Sequence, residues 1–105
     1  MKGGLKLTEA QYQSKLKEKL QERMPDAYIM KMDPTANGIQ GFADLLILRK
    51  NKWAVLEVKK DENAPHRPNQ DYYVEQVKKM GNFSAFIFPQ NEKEIMDELE
   101  RALNS

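Results

Sequence analysis

The stretch 41-GFADLLILRKNKWAVLEVKK-60 decides how this chain is read. "FADLLIL" and "WAVLEVK" are each of strand length and rich in Leu, Ile and Val, and the polar "RKNK" between them is short enough to join them as an antiparallel hairpin. Side chains alternate along a strand, so Trp53, Val55, Glu57 and Lys59 share one face while Ala54, Leu56 and Val58 share the other. The first face therefore changes from apolar to charged along its length. A carboxylate embedded there costs on the order of several kcal/mol unless a counter-charge or a metal compensates it.

Outward from the hairpin, Tyr12, Leu16 and Leu20 recur every fourth residue among charged neighbours, predicting an amphipathic helix from Thr8 to about Arg23 that Pro25 ends. "DAYIMKM" reads as a strand and "DPTANG" as the turn after it. On the other side, "DENAPHRPNQ" is a proline-containing loop. Tyr73, Val77 and Met80 then mark one face of a second helix, which Gly81 and Asn82 stop. "FSAFIF" is a further strand, and "NEKEIMDELERAL" is a last helix with Asn91 and Glu94 in capping-box spacing and apolar Ile95, Leu99 and Leu103. The order helix, three strands, helix, strand, helix makes an α/β fold, a mixed sheet covered by helices.

The 105 residues suit one domain spanning 1–105. No repeat or low-complexity segment interrupts it. There is no cysteine, which excludes disulfides and thiolate zinc sites and leaves a metal only oxygen ligands or the single histidine. The opening "MKGGLKLTEAQ" lacks the apolar run of a secretory signal and no aliphatic run is long enough to span a bilayer, so a soluble, cytoplasmic protein is expected, with no membrane partner. Lys and Arg number 17 against 16 acids. A net charge of +1 does not by itself announce nucleic-acid binding.

Two readings of the charged strand end stand side by side. Glu57 and Lys59 alone make a cross-compensating pair at the end of a sheet. Asp44 in the neighbouring strand brings a second carboxylate toward Glu57, and two converging anions call for a divalent cation. Mg²⁺ takes hard oxygen ligands and keeps several waters, so Asp44, Glu57 and the Val58 main-chain carbonyl would suit it. Lys59 would then orient water and offset charge building on a phosphate, the arrangement of a phosphodiester hydrolase.

"GFAD" followed by "EVK" resembles the core motif of the PD-(D/E)XK nuclease superfamily. "TEAQYQ" is similar to the Glu-led, Gln-containing first helix of its VRR-NUC (virus-type replication-repair nuclease) branch, and "RPNQDYYVEQVKKMG" to that branch's Gln-led helix after the motif. The resemblance covers roughly residues 8 to 88. It implies a restriction-endonuclease-like αβββαβ core with an extra C-terminal helix. It also implies that Asp44 and Glu57 are metal ligands joined by the Val58 carbonyl, Lys59 the catalytic lysine, Glu9 the helix-borne acid and Gln70 the supporting amide. Ala43 stands where a proline often precedes the motif aspartate; that proline shapes backbone and supplies no ligand. The implied activity is a Mg²⁺- or Mn²⁺-dependent, structure-selective DNA endonuclease acting on Holliday junctions or other branched DNA, as a homodimer and without a nucleotide cofactor. A viral origin would place it in a host cytoplasm.

Glu9 also begins the core-facing stripe of the first helix, where it either turns inward or sits solvated at the positive end of the helix dipole. Gln13, one turn on, is equally a partner for Glu9 or an ordinary surface residue. Gln70 heads the second helix on its buried side, where an amide needs partners. His66, in its proline-bounded loop, reads as a surface imidazole outside the site. Lys15, Lys17, Lys19, the "RKNK" cluster, Lys60, His66, Arg67, Lys78 and Lys79 offer phosphate contacts, fewer than half of them expected to be used. Tyr72, Tyr73, Phe83, Phe86 and Phe88 offer either dimer interface or core, core being the expectation for Tyr73, Phe86 and Phe88. No base-reading motif occurs, so recognition by DNA shape is expected. Competing functions are a nicking or exonuclease activity, a restriction-type cleavage module, and a non-catalytic DNA- or protein-binding module.

Overall fold

A computed structural model describes residues 6–33 and 41–104. Helix α1 (Glu9–Arg23) starts at a full capping box: the Gln11 N–H donates to Thr8 Oγ1 at 3.1 Å, and the Thr8 N–H donates to Gln11 Oε1 at 2.9 Å. Its buried stripe is Tyr12, Leu16 and Leu20, joined by Gln13, and it ends at Met24, just before Pro25. Strand β1 (Tyr28–Lys31) follows. Apart from Asp33, the turn expected at 33–38 lies outside the described residues.

Strands β2 (Leu45–Arg49) and β3 (Lys52–Val58) form the expected hairpin, pairing Leu45 with Leu56 and Arg49 with Lys52. The connection is tighter than "RKNK" suggests. Arg49 and Lys52 already pair, so only Lys50 and Asn51 turn, with Lys50 at φ 58° in the left-handed region. Helix α2 (Gln70–Lys79) then carries the chain to β4 (Phe83–Ile87), which lies parallel to β3, and helix α3 (Glu92–Asn104) completes the order α1-β1-β2-β3-α2-β4-α3. The four strands stand β1-β2-β3-β4, antiparallel up to the parallel last pair, a mixed sheet as expected for a crossover through α2.

The alternation read along β3 sorts the core into two faces. Ala54, Leu56 and Val58 pack with Leu45 and Ile47 against α1 and α3, where Leu16, Leu20, Leu99 and Leu103 are essentially inaccessible to water. On the other face Val55 meets Ala43 and Val77, with Phe42, Leu46 and Trp53 at the margin. Arg23 pairs with Asp97 and Glu100, and Lys19 with Glu92, tying α1 to α3. Lys19 is therefore engaged within the protein.

Two helix details differ from expectation. Met80 does not continue the buried stripe of α2; it caps the helix and is 66% exposed, because Gly81 at φ 87° turns the chain away. The buried stripe is Gln70, Val74 and Val77. The Asn91 side chain turns back toward β4 instead of forward into a capping box, its Oδ1 accepting from the Phe88 N–H at 2.9 Å and its Nδ2 donating to the Phe86 carbonyl at 3.1 Å. Among the described residues no helix is long and apolar enough to cross a membrane.

Candidate active site

Asp44 lies just before the Leu45–Leu56 pair that ends the β2–β3 ladder, and its carboxyl is a direct neighbour of the Glu57 carboxyl. Asp44 precedes β2, yet its backbone is held on both sides: its N–H donates to the Leu56 carbonyl at 3.0 Å and its carbonyl accepts from the Met32 N–H at 2.8 Å. Its side chain is oriented by the Val58 N–H, which donates to Asp44 Oδ2 at 2.8 Å. Even-numbered residues of β3 thus direct their backbone polar groups toward Asp44, whereas the Lys59 N–H donates the other way, to the Ile87 carbonyl at 2.9 Å. Since N–H and C=O of one strand residue point to the same side, the Val58 carbonyl points toward Asp44.

Glu57 is only 2% exposed. Its Oε1 accepts from Gln70 Nε2 at 2.7 Å, and its Oε2 is buried with no hydrogen-bond partner. Burial, reinforced by the adjoining Asp44 carboxyl, pushes its pKa up to about 9; Lys59 pulls the other way and Glu9 adds a smaller rise. At neutral pH this shift leaves the Asp44–Glu57 pair holding a proton, and of the pair's oxygens Glu57 Oε2 is the one buried without a partner.

Gln70 joins the acid to the amine. Its Oε1 accepts from Lys59 Nζ at 2.7 Å and from the Arg67 N–H at 2.7 Å, while its Nε2 serves Glu57. Lys59 is 3% exposed and gives a second N–H to the Pro65 carbonyl at 3.1 Å. Two of its three donors are therefore taken. The amide that the sequence left between two roles is thus a buried bridge.

Backbone geometry puts Gln70 there. Asn69, the residue before α2, adopts φ 74°, and Gly41 at φ 86° approaches so closely that a Cβ on it would meet Asn69 Cβ and the Pro68 carbonyl oxygen at 2.8 Å. The glycine that opens the decisive stretch lets the chain before Asp44 lie against the loop before Gln70.

Glu9, half-buried at the start of α1, lines a cleft of about 1060 Å³ with Lys6, Lys59, Lys60, His66 and Arg67. Lys59 belongs both to this cleft and to the acid cluster. Glu9 is near enough to act on Glu57 electrostatically, but among the described residues no three His, Asp or Glu side chains converge as a metal-binding group. The oxygen set brought together is Asp44, Glu57 and the Val58 carbonyl. Gln13, which the sequence left open, is buried, 9% exposed.

His66 lies at the surface, as expected, but it is not idle. Its ring stacks on Phe86 with centroids 4.1 Å apart and planes at 17°, and its Nδ1 is 2.9 Å from Asp71 Oδ1. Pro65 and Asp71 carried no sequence signal, and Phe86 was read as core or interface without a tie to His66, because each acts through a contact that only the assembled loop creates.

No family model and no curated protein matches this sequence. Among solved structures, one described as a VRR_NUC domain protein superposes with a TM-score of 0.70 at 21% identity, covering 99% of this chain and 92% of that one. A second, described as a VRR_NUC domain, superposes with a TM-score of 0.64 at 29% identity, covering 89% of this chain and 94% of that one.

Proposed function

We propose that this domain of VRR-NUC nuclease fold is a Mg²⁺- or Mn²⁺-dependent DNA endonuclease that selects branched DNA by shape. The observation that carries the reading is the pairing of a buried Glu57 with a half-buried Asp44, with Glu57 Oε2 lacking any donor and Gln70 linking Glu57 to Lys59. Two adjoining carboxylates and the Val58 carbonyl form an oxygen-only donor set that fits a hard divalent cation, and the orphaned oxygen is the position such a cation would satisfy. Glu9 is assigned a supporting place beside this set, from the cleft side. When bound, the cation supplies the Lewis-acid charge that offsets the phosphate and acidifies water.

The chain's own residues do the rest. The Val58 N–H holds Asp44, and Gln70 Nε2 holds Glu57, so both carboxylates are oriented before any ligand arrives. Lys59, anchored through two donors, keeps its third for a phosphate oxygen or the attacking water, and its charge opposes the negative charge gathering on the phosphoryl group. Lys6, Lys60 and Arg67 along the cleft fit the phosphate backbone, and affinity should fall with salt accordingly.

Cutting both strands of a junction requires two such centres, so a homodimer is part of the proposal. Tyr28 and Leu48, paired across β1 and β2, and Met30 beside them are exposed on the half of the sheet that α2 leaves uncovered, and would give two copies apolar area. The test is incubation of the purified protein with labelled linear, flapped and four-way DNA in Mg²⁺, Mn²⁺ or chelator. Cleavage of branched DNA in either metal, lost in chelator and in Lys59→Met while DNA binding persists, is the expected result. No cleavage of any substrate under any metal condition refutes the proposal.

A further inference from the structure

Outside the acid cluster, the cleft wall carries an exposed imidazole, His66, fixed by two contacts. The His66 ring lies flat on Phe86, which is the register partner of Glu57 in the adjacent strand, and neighbouring strands are about 4.8 Å apart. Paired residues of parallel strands share a face, so the imidazole sits over the same face as Glu57 and Lys59, one strand across. Its Nδ1 is engaged by Asp71, while among the described residues Nε2 has no hydrogen-bond partner. The preceding residue, Pro65, gives its carbonyl to Lys59 Nζ, and Asp71 follows Gln70, which binds both Glu57 and Lys59. The two neighbours 70 and 71 thus orient the acid–amine pair and the imidazole from a single helical turn.

We infer that His66 is the proton donor to the leaving oxygen in phosphodiester cleavage, with Asp71 and Phe86 as its positioning residues; this rests on the nuclease reading above. Hydrolysis joins a water oxygen to phosphorus and breaks the bond from phosphorus to one bridging oxygen. That oxygen departs as a costly alkoxide unless it receives a proton as the bond breaks. The imidazolium gives up its Nε2 proton to the bridging oxygen, the attacking water releases one proton to solvent through the cleft, and the neutral imidazole recovers a proton from solvent. Asp71, accepting from Nδ1–H, fixes the ring so that Nε2 is the donating atom. Asp71 from α2 is the charged group in contact with the ring; the others that line the same cleft are Lys60, Asp61 and Arg67 from its own loop, Lys59 at the end of β3, Glu9 from α1 and Lys6 ahead of it, and from β4 the ring meets Phe86.

The test compares an ordinary phosphodiester with one carrying sulfur at the bridging position cleaved, in Mn²⁺, for the wild type, His66→Ala, His66→Gln and Asp71→Asn. A thiolate leaves without a proton. His66→Ala and His66→Gln should slow cleavage of the oxygen substrate by about 10²-fold or more, and Asp71→Asn by about tenfold, with DNA affinity retained. On the sulfur substrate all three should come within about threefold of the wild type. Equal losses on both substrates, or either His66 variant cutting the oxygen substrate at the wild-type rate, would overturn the assignment while leaving the nuclease reading intact. A wild type that cuts neither substrate overturns both.

Discussion

Replacing Glu57 by glutamine tests the centre of the argument without touching substrate. In the metal-free protein the Glu57 carboxyl titrates near 9 against an ordinary 4.5, so at pH 7 the folded state holds a proton that the unfolded state has released. A raised folded pKa contributes stability that is fully present below about pH 4.5 and lost as the pH climbs toward 9. Over the 2.5 units from 4.5 to 7, at about 1.4 kcal/mol each, the loss comes to about 3–4 kcal/mol. Glu57→Gln escapes it: the substituted amide can still accept from Gln70 Nε2 and can offer an N–H toward Asp44 where Glu57 Oε2 now has no partner. Denaturant titrations in chelator between pH 5 and 8.5 should show the wild type losing stability steadily and Glu57→Gln nearly flat, the variant melting roughly 10 °C higher at pH 7. Calorimetry of Mn²⁺ binding in buffers of different ionisation enthalpy should find about one proton released per ion at pH 7 by the wild type, and no binding by the variant. A variant no more stable than the wild type at pH 7, or wild-type binding with no proton release, would refute the shared-proton account of the Asp44–Glu57 pair.

Gln70→Ala should leave Glu57 Oε1 without its donor and Lys59 Nζ with the Pro65 carbonyl as its remaining acceptor, costing about 1–3 kcal/mol in denaturant titrations and slowing turnover more than it weakens DNA binding. Gly41→Ala should cost about 2 kcal/mol or more, because it forces a side chain at φ 86° into Asn69 and the Pro68 carbonyl; thermal melting checks this, and a stability equal to the wild type would contradict the close approach. Tyr12→Phe removes the 2.9 Å bond to Glu92 that helps fasten α1 to α3 and should lower stability by about 1 kcal/mol, read by the denaturation midpoint, with cleavage unchanged at saturating DNA.

The register of the β2–β3 hairpin was legible because alternation is local: a two-residue period in "WAVLEVK" sorts side chains onto two faces before any partner is known, and the main core follows that sorting. The short hairpin also let the Asp44 carboxylate be expected near Glu57, since it sets the two strands side by side. Thr8 and Gln11 likewise announce α1, since a capping box is closed within one turn. The cap at Asn91 misleads because its carboxamide finds better-placed partners at the end of β4, a choice made between elements. Met80 misleads because helical spacing does not say where Gly81 will turn the chain.

By itself, then, the amino-acid order determined the succession of helices and strands, the inward and outward faces of β3, and which charged residues a buried strand end would have to accommodate. Only the folded chain decided that Gln70 spans Glu57 and Lys59, that Gly41 touches the loop ahead of it, and that His66 is clamped between Phe86 and Asp71. The difference is one of range: periodicity and capping act within a few residues, whereas these contacts join segments whose approach depends on the path of a proline-rich loop. Nothing in that loop's composition specifies its path, because its hydrogen bonds to Lys59 and Gln70 exist only once β3 and α2 are already side by side.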